Sequence, residues 1–283
     1  MFKIVTKKVL SEVNKLMEVE APLVARKAEP GQFIILRVHE NGERIPLTIA
    51  DSDKEKGTIT IIYQEVGKTT KELGTLEAGD HLCDFVGPLG KAMELPSASG
   101  RVVAVGGGVG IAPVYPKVKA LHNAGMEVIS IIGAQTADLL ILEDEMRAVS
   151  KELHVCTDDG TKGHHGFVTD VLKNILEEKG KEIDEIVAVG PLPMMQAVSN
   201  LTKSYDVKTL VSLNPIMVDG TGMCGCCRVT VGGETKFSCV DGPVFDAHQV
   251  DFEELTRRSH TYLEEEKIAL ENFEQERISG GGN

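Results

Sequence analysis

The sequence predicts an antiparallel β-barrel joined to a doubly wound parallel α/β sheet, completed by a small cysteine-rich module and a helix. Three observations predict this. Up to about residue 95 apolar residues fall in short runs split by turn residues. Beyond Pro96 strand-like and helix-like segments alternate. Four of the six cysteines then crowd into the stretch from Cys224 to Cys239. The changes of rhythm set expected boundaries at 1–95, 96–212, 213–246 and 247–283, and 283 residues leave room for two domains with a core each.

Within 1–95 the runs FKIVTKKVL, NKLMEVEA, QFIILRVH, RIPLTIA and TITIIYQEV are rich in β-formers. Segments such as AEPG and HENGE part them, with Asn41-Gly42 suited to a tight turn. One helical piece, KTTKELGTL, follows the fifth run, and such spacing suits a small barrel.

From 96 the pattern is strand, glycine loop, helix: RVVAV, then Gly106-Gly107-Gly108-Val109-Gly110, then PVYPKVKALHNAG. EVISIIG, DLLILEDEMRAVSKE, LHVCT, FVTDVLKNILEEKG, EIVAVG, PMMQAVSNLTK and VKTLVSL continue the alternation. A parallel sheet with helices on both faces follows, and such sheets bind ligands beyond the carboxyl ends of their strands. The glycine loop has the composition that lets backbone approach a pyrophosphate at a helix start, although Ile111 stands where G-x-G-x-x-G needs its third glycine. Two further loops end strands in the same way: Thr157-Asp158-Asp159-Gly160, and Gly190-Pro191 with Met194.

A net charge of −13 argues against nucleic acid as a partner, because phosphates need a basic face. The N-terminus lacks the apolar stretch of a signal peptide and no apolar run is long enough to span a bilayer, so a cytoplasmic setting with no membrane is expected. Crowded cysteines in that setting read as metal ligands rather than disulfides. The tail DFEELTRRSHTYLEEEKIALENFEQE reads as one charged helix with Phe252, Leu255, Tyr262 and Leu263 partly on one stripe, and SGGGN as disordered.

The cysteine segment runs Asp219-Gly-Thr-Gly-Met-Cys224-Gly-Cys226-Cys227, with Cys239 further on. Plant-type [2Fe–2S] proteins space their thiolates C-x4-C-x2-C with a later fourth. Cys224, Cys227 and Cys239 fit the last three positions and Asp219 occupies the first; Cys226 is the competing fourth ligand. Zinc is the rival metal, although its knuckles use two well-separated thiolate pairs. Glycines at 220, 222 and 225 let backbone wrap closely around the sulfurs.

This cluster, continuing into Cys239-Val-Asp-Gly-Pro-Val-Phe245 behind a barrel and a nucleotide-type domain, resembles the iron–sulfur flavoprotein branch of the ferredoxin–NADP reductase superfamily over about residues 1–250. The resemblance implies FAD on the barrel, NAD(H) on the α/β domain and a [2Fe–2S] centre on the module. Arg44-Ile45-Pro46-Leu47-Thr48 resembles the flavin motif of that superfamily: Arg44 would neutralise the FAD pyrophosphate, and Thr48 would face the isoalloxazine beside Pro46 and Leu47. On chemistry alone this segment is an ordinary edge strand. Gly67-Lys68-Thr69-Thr70 would face the FAD phosphate, where simple N-capping is the plainer reading. GGGVGIAP resembles the nicotinamide loop, and Gly190-Pro191-x-x-Met194 resembles its partner motif with Val189 replacing a cysteine. Gln135, which offers no charge to a 2′-phosphate, points to NAD(H) over NADP(H).

The resemblance further implies an oxidoreductase subunit that exchanges hydride at one end and single electrons at the other, with no acid–base residue required; His164-His165 reads as a solvated pair. Dihydroorotate dehydrogenase electron-transfer subunits carry cysteine at the position of Asp219, whereas an aspartate there resembles the small subunit of NADH-dependent reduced ferredoxin:NADP oxidoreductase. The implied partner is a large subunit bearing flavin and [4Fe–4S] centres, through which ferredoxin and NADP(H) would be met. A non-catalytic, zinc-stabilised nucleotide-sensing scaffold is the reading from another class.

Overall fold

The computed structural model describes residues 1–95 and 100–280; the expected boundary at Pro96 and the end of the tail expected to be disordered, 281–283, lie outside the described residues. The first unit contains β1 (Phe2–Val9), β2 (Asn14–Glu20), a turn of helix α1 (Pro22–Ala25), β3 (Phe33–Arg37), β4 (Ile45–Asp53), β5 (Thr58–Gln64), α2 (Lys68–Leu73), β6 (His81–Leu82) and β7 (Asp84–Leu89). The strands form one antiparallel sheet of order β6-β1-β2-β5-β4-β3-β7. Only Cys83 separates β6 from β7, so the two edges of the sheet nearly meet and the barrel nearly closes. Strand alternation decides what β4 presents. Ile45, Leu47 and Ile49 pack into the barrel core with Ile34, Leu36 and Ile61, while Pro46 and Thr48 turn outward.

The second unit runs β8 (Arg101–Gly107), α3 (Ile111–Asn123), β9 (Glu127–Ala134), α4 (Glu143–Val149), β10 (Glu152–Thr157), β11 (His164–His165), α5 (Val168–Lys179), β12 (Glu185–Val189), α6 (Leu192–Lys203) and β13 (Lys208–Ser212). These strands are all parallel, in the order β11-β10-β9-β8-β12-β13. The chain reverses its direction of travel across the sheet at β8, with β9 on one side and β12 on the other. A crevice therefore opens above the carboxyl ends of β8 and β12. The helix expected over DLLILEDEMRAVSKE is shorter than expected: α4 begins at Glu143, and Leu140, Ile141 and Leu142 pack on the sheet ahead of it. Successive apolar residues have no polar side to offer water, so Ile141 is buried and Leu140 and Leu142 are partly buried before the helix starts.

The cysteine-rich stretch adds the hairpin β14 (Arg228–Val231) and β15 (Glu234–Phe237), the short helix α7 (Ser238–Asp241) carrying Cys239, and β16 (Val244–Asp246). Gly232 and Gly233 both take positive φ (62° and 79°) in the two-residue turn, which explains the Gly-Gly pair. β16 runs antiparallel to β13, so the end of this stretch is the edge strand of the α/β sheet. The segment draws its apolar contacts from the barrel: Met217, Cys227 and Cys239 pack against Phe33 and Ile35.

The tail differs from the single helix expected. It splits into α8 (Phe252–Ser259) and α9 (Leu263–Gly280). Phe252 and Leu255 are buried on the core of the α/β unit, whereas Tyr262 and Leu263 are half exposed, so the apolar stripe ends with α8. Glu274 of α9 pairs with Lys71 of α2 on the barrel. Among the described residues no helix is long and apolar enough to cross a membrane.

Candidate functional site

A cleft of about 930 Å³ lies between the barrel and the α/β unit, at the crevice the topology predicts. Its barrel wall includes Pro46, Leu47 and Thr48 of β4, Tyr63 and Gln64 of β5, and Thr70. Its other wall includes Gly107, Gly108, Val109, Gly110, Gln135, Asp158, Gly190, Pro191 and Met194. Residues from three separate strand-end loops thus meet in one space. Backbone proximity explains two of the glycines. A Cβ on Gly110 would collide with the Val189 carbonyl oxygen and stand 2.7 Å from the Gly190 Cα, and one on Gly107 would collide with the Met194 sulfur. Gly108 takes φ +57° with open space around it, the arrangement that lets a ligand approach main-chain N–H groups.

Of the other expected residues, Arg44, Gly67, Lys68, Thr69 and Gly106 stand off the cleft wall. Gly106 is buried within β8, where a Cβ would press on Ile111. Thr69 is buried and donates its hydroxyl to Glu43 at 2.5 Å. The Thr70 hydroxyl accepts from the N–H groups of Val66 and Gly67, both at 3.1 Å, so capping of α2 is one of its roles. Lys68 and Gly67 sit at the start of that helix beside the cleft-lining Val66. Arg44 is exposed just ahead of β4, and its charge is felt by Asp219 of the cysteine loop.

Several wall residues carried no sequence signal. Phe33, Asn214, Met217 and Phe167 line the cleft through the tertiary fold. Phe167 was the most readable of them, an aromatic directly after Gly166 at a helix start, and it is 62% exposed. His164 and His165 are exposed, with the His164 imidazole 3.9 Å from Asp170 at the helix start.

The cysteine loop has a buried pair of thiols and a more exposed arm. Cys227 and Cys239 are buried with sulfurs 3.1 Å apart. Burial, then the neighbouring Cys227 thiol, push the Cys239 thiol up to about 12, so a cation is needed to hold a thiolate there. Cys224 is exposed, and the Cys226 N–H, aided by that of Asp219, draws its thiol below the ordinary range. The Asp219 carboxyl is held low first by the Thr221 hydroxyl, then by the N–H groups of Thr221 and Met223 and the charge of Arg44. Gly220, Gly222 and Gly225 all have positive φ (79°, 84° and 69°), a loop path open to glycine.

Among the described residues no three His, Cys, Asp or Glu side chains gather as they would around one ion. Cys224 is influenced first by the Cys226 N–H and then by that of Asp219, while Cys227 and Cys239 face one another in the interior. Cys226 is half exposed, and the neighbouring Cys224 side chain pushes its thiol up.

Comparison with known proteins identifies the two domains. Residues 214–251 match the iron–sulfur cluster binding domain of dihydroorotate dehydrogenase B, and residues 104–200 match the oxidoreductase NAD-binding domain. The dihydroorotate dehydrogenase B (NAD+) electron transfer subunit homolog of Thermotoga maritima is 49% identical over 255 residues, covering 90% of this chain and 89% of that one. The corresponding electron transfer subunit of Geobacillus thermodenitrificans is 36% identical, covering 87% and 96%. A chain from the structure of NADH-dependent reduced ferredoxin–NADP oxidoreductase, studied for flavin-based electron bifurcation, superposes with a TM-score of 0.91 at 46% identity over 96% of this chain and 98% of that chain. The chain belongs to the family of dihydroorotate dehydrogenase B electron transfer subunits, and is an oxidoreductase subunit with an NAD-binding domain and an iron–sulfur-binding domain.

Proposed function

We propose that this chain is the small subunit of an NADH-dependent ferredoxin:NADP oxidoreductase, holding FAD on the barrel, NAD(H) in the cleft and a [2Fe–2S] centre in the cysteine loop. When bound, these groups supply hydride exchange between nicotinamide and flavin and single-electron exchange through the cluster. The units are 1–95 for flavin, 96–212 for nicotinamide, 213–246 for the cluster and 247–283 as helical tail. In this reading Pro46, Leu47 and Thr48 present the flavin ring, with Arg44, Gly67, Lys68, Thr69 and Thr70 toward its phosphates. Gly106 to Gly110 receive the nicotinamide dinucleotide, with Asp158, Gly190, Pro191 and Met194 around it. Asp219, Cys224, Cys227 and Cys239 hold the two irons. None of the six cysteines, all among the described residues, forms a disulfide, which supports a reducing, cytoplasmic setting.

The observation that carries the choice within the family is Asp219. Asp219 precedes Cys224 by the interval of the first plant-type ligand, and its carboxyl, held low, is available to a metal ion, which supports the reading. The 46% likeness to the bifurcating oxidoreductase supports the same reading. The partner is then a large subunit with flavin and [4Fe–4S] centres that meets ferredoxin and NADP(H). The test is purification with the native partner, followed by flavin, iron and labile-sulfide analysis and NADH-dependent reduction followed by EPR. Flavin with about two irons per small subunit, and ferredoxin-linked NADP reduction by the complex, are expected. A colourless zinc protein would end the redox reading.

A second reading has its own support, since the named relatives are dihydroorotate dehydrogenase B subunits. In that case the chain co-purifies with a flavin-bearing dehydrogenase, and the complex reduces NAD+ with dihydroorotate.

A further inference from the structure

We infer that Arg258, on the tail helix α8, is a positioning residue of the iron–sulfur site that raises the reduction potential of the cluster; this rests on the proposed cluster ligation. α8 binds the α/β unit through Phe252 and Leu255, and Arg258 lies three residues beyond Leu255 on the same side. Its Nη2 donates to the Cys226 carbonyl oxygen at 3.0 Å, thirty-two residues away in sequence. That carbonyl belongs to the peptide linking Cys226 to the buried ligand Cys227. The bond therefore joins a fixed helix to the turn from which Cys227 enters the site.

Three features give this contact more than a bracing role. The guanidinium is half buried and its Nε–H is fully buried without an acceptor, so the side chain is held there at a cost. No ion pair among the described residues includes Arg258, leaving its charge unopposed within salt-bridge range. A charge-assisted bond to the carbonyl also polarises the peptide that leads into Cys227, making its N–H a stronger donor. Arg228 adds a weaker bond to the Gly225 carbonyl, at 3.3 Å, from an exposed position. Net charge and hydrogen bonding around the sulfurs set the potential of such clusters. A fixed cation favours the reduced cluster, which carries one more electron, and a partly buried cation is weakly screened by salt.

The experiment compares the full-length wild type with Arg258→Met, Arg258→Gln and Arg258→Lys, measuring iron and labile sulfide and titrating the cluster potentiometrically with EPR detection. Lowered potentials are expected for Arg258→Met and Arg258→Gln, with Arg258→Lys staying near wild type, at low and at high salt alike. Glutamine can still donate to the carbonyl, so its potential separates charge from bracing should Arg258→Met lose iron. The inference is overturned if Arg258→Gln titrates like wild type, or if Arg258→Lys falls as far as Arg258→Gln. A wild type without iron or an EPR signal would instead overturn the cluster assignment itself.

Discussion

At the scale of single residues, the fourth cluster ligand is the sharpest question. Asp219 is kept ionised by the Thr221 hydroxyl and nearby N–H groups, and the adjacent Cys226 is half exposed with its thiol pushed up by the Cys224 side chain. Asp219→Ala is expected to change the visible and EPR spectra of the cluster, or its potential, while Cys226→Ser leaves them near wild type. The reverse pattern would move the ligand to Cys226. Another residue bears on stability. Lys117 of α3 is 1% exposed, reaches toward Gly31 of the barrel, and its ammonium finds no acceptor among the described residues. Burial pushes it down to about 7 from an ordinary 10.5. The unfolded chain keeps this proton up to about 10.5, so the penalty is full below pH 7 and fades as pH rises toward the unfolded value. Its size is on the order of 4 kcal/mol. Lys117→Met should therefore raise the melting temperature, clearly near pH 6.5 and much less near pH 9.5; an equal rise at both would refute the electrostatic cause.

At the scale of elements, the apposition of the β8 and β12 loops decides whether the cleft can form. Gly110→Ala must push the Val189 carbonyl and the Gly190 backbone away. A destabilisation of about 1–3 kcal/mol is expected, with a higher KM for NADH, measured by thermal melting and diaphorase kinetics. A substitution that left both unchanged would contradict the packing described. The long helix α9 is a different kind of element. Ile268 and Ile278 are 55% and 83% exposed, and its tie to the barrel includes the Lys71–Glu274 ion pair. Surface pairs contribute roughly 0–1 kcal/mol, so removing residues 263–283 should lower the melting temperature by only a few degrees, whereas removing residues 252–283, with Phe252, Leu255 and Arg258, should cost far more.

The alternation of strand and helix in the second unit was readable because each element buries its own periodic face. The two breaks in expectation have a common cause. In the run Leu139–Leu142 and again at Tyr262–Leu263, apolar residues suggested helix by composition, while the partner surface that would bury a helical stripe was set elsewhere in the fold. The cysteine spacing was equally readable, since ligand order along a loop is a local property. The contact from Arg258 to Cys226 was not, because nothing in a charged helix of the tail says which carbonyl its arginine will meet.

At the scale of the whole molecule, the cleft joins the outward face of β4 to the glycine loops, and the cysteine loop packs against β3 of the same barrel. The three cofactor sites of the proposed function are thus neighbours through one wall of the barrel. Gln135, exposed on the cleft wall, brings no cation to a 2′-phosphate, and the nearby Lys162 is committed to Glu143 at 2.6 Å. NADH is therefore expected to be oxidised in strong preference to NADPH in a diaphorase assay; comparable turnover with both would count against it. Strand and helix periodicities, the glycine loops and the C-x2-C spacing were determined by sequence alone, because each depends on neighbours a few residues apart. Tertiary structure decided that the charge of Arg44 reaches Asp219 of the cysteine loop, that Phe33 and Met217 line one cleft, and that the tail braces the iron–sulfur segment. Those depend on where distant elements pack, and packing is a property of the folded whole.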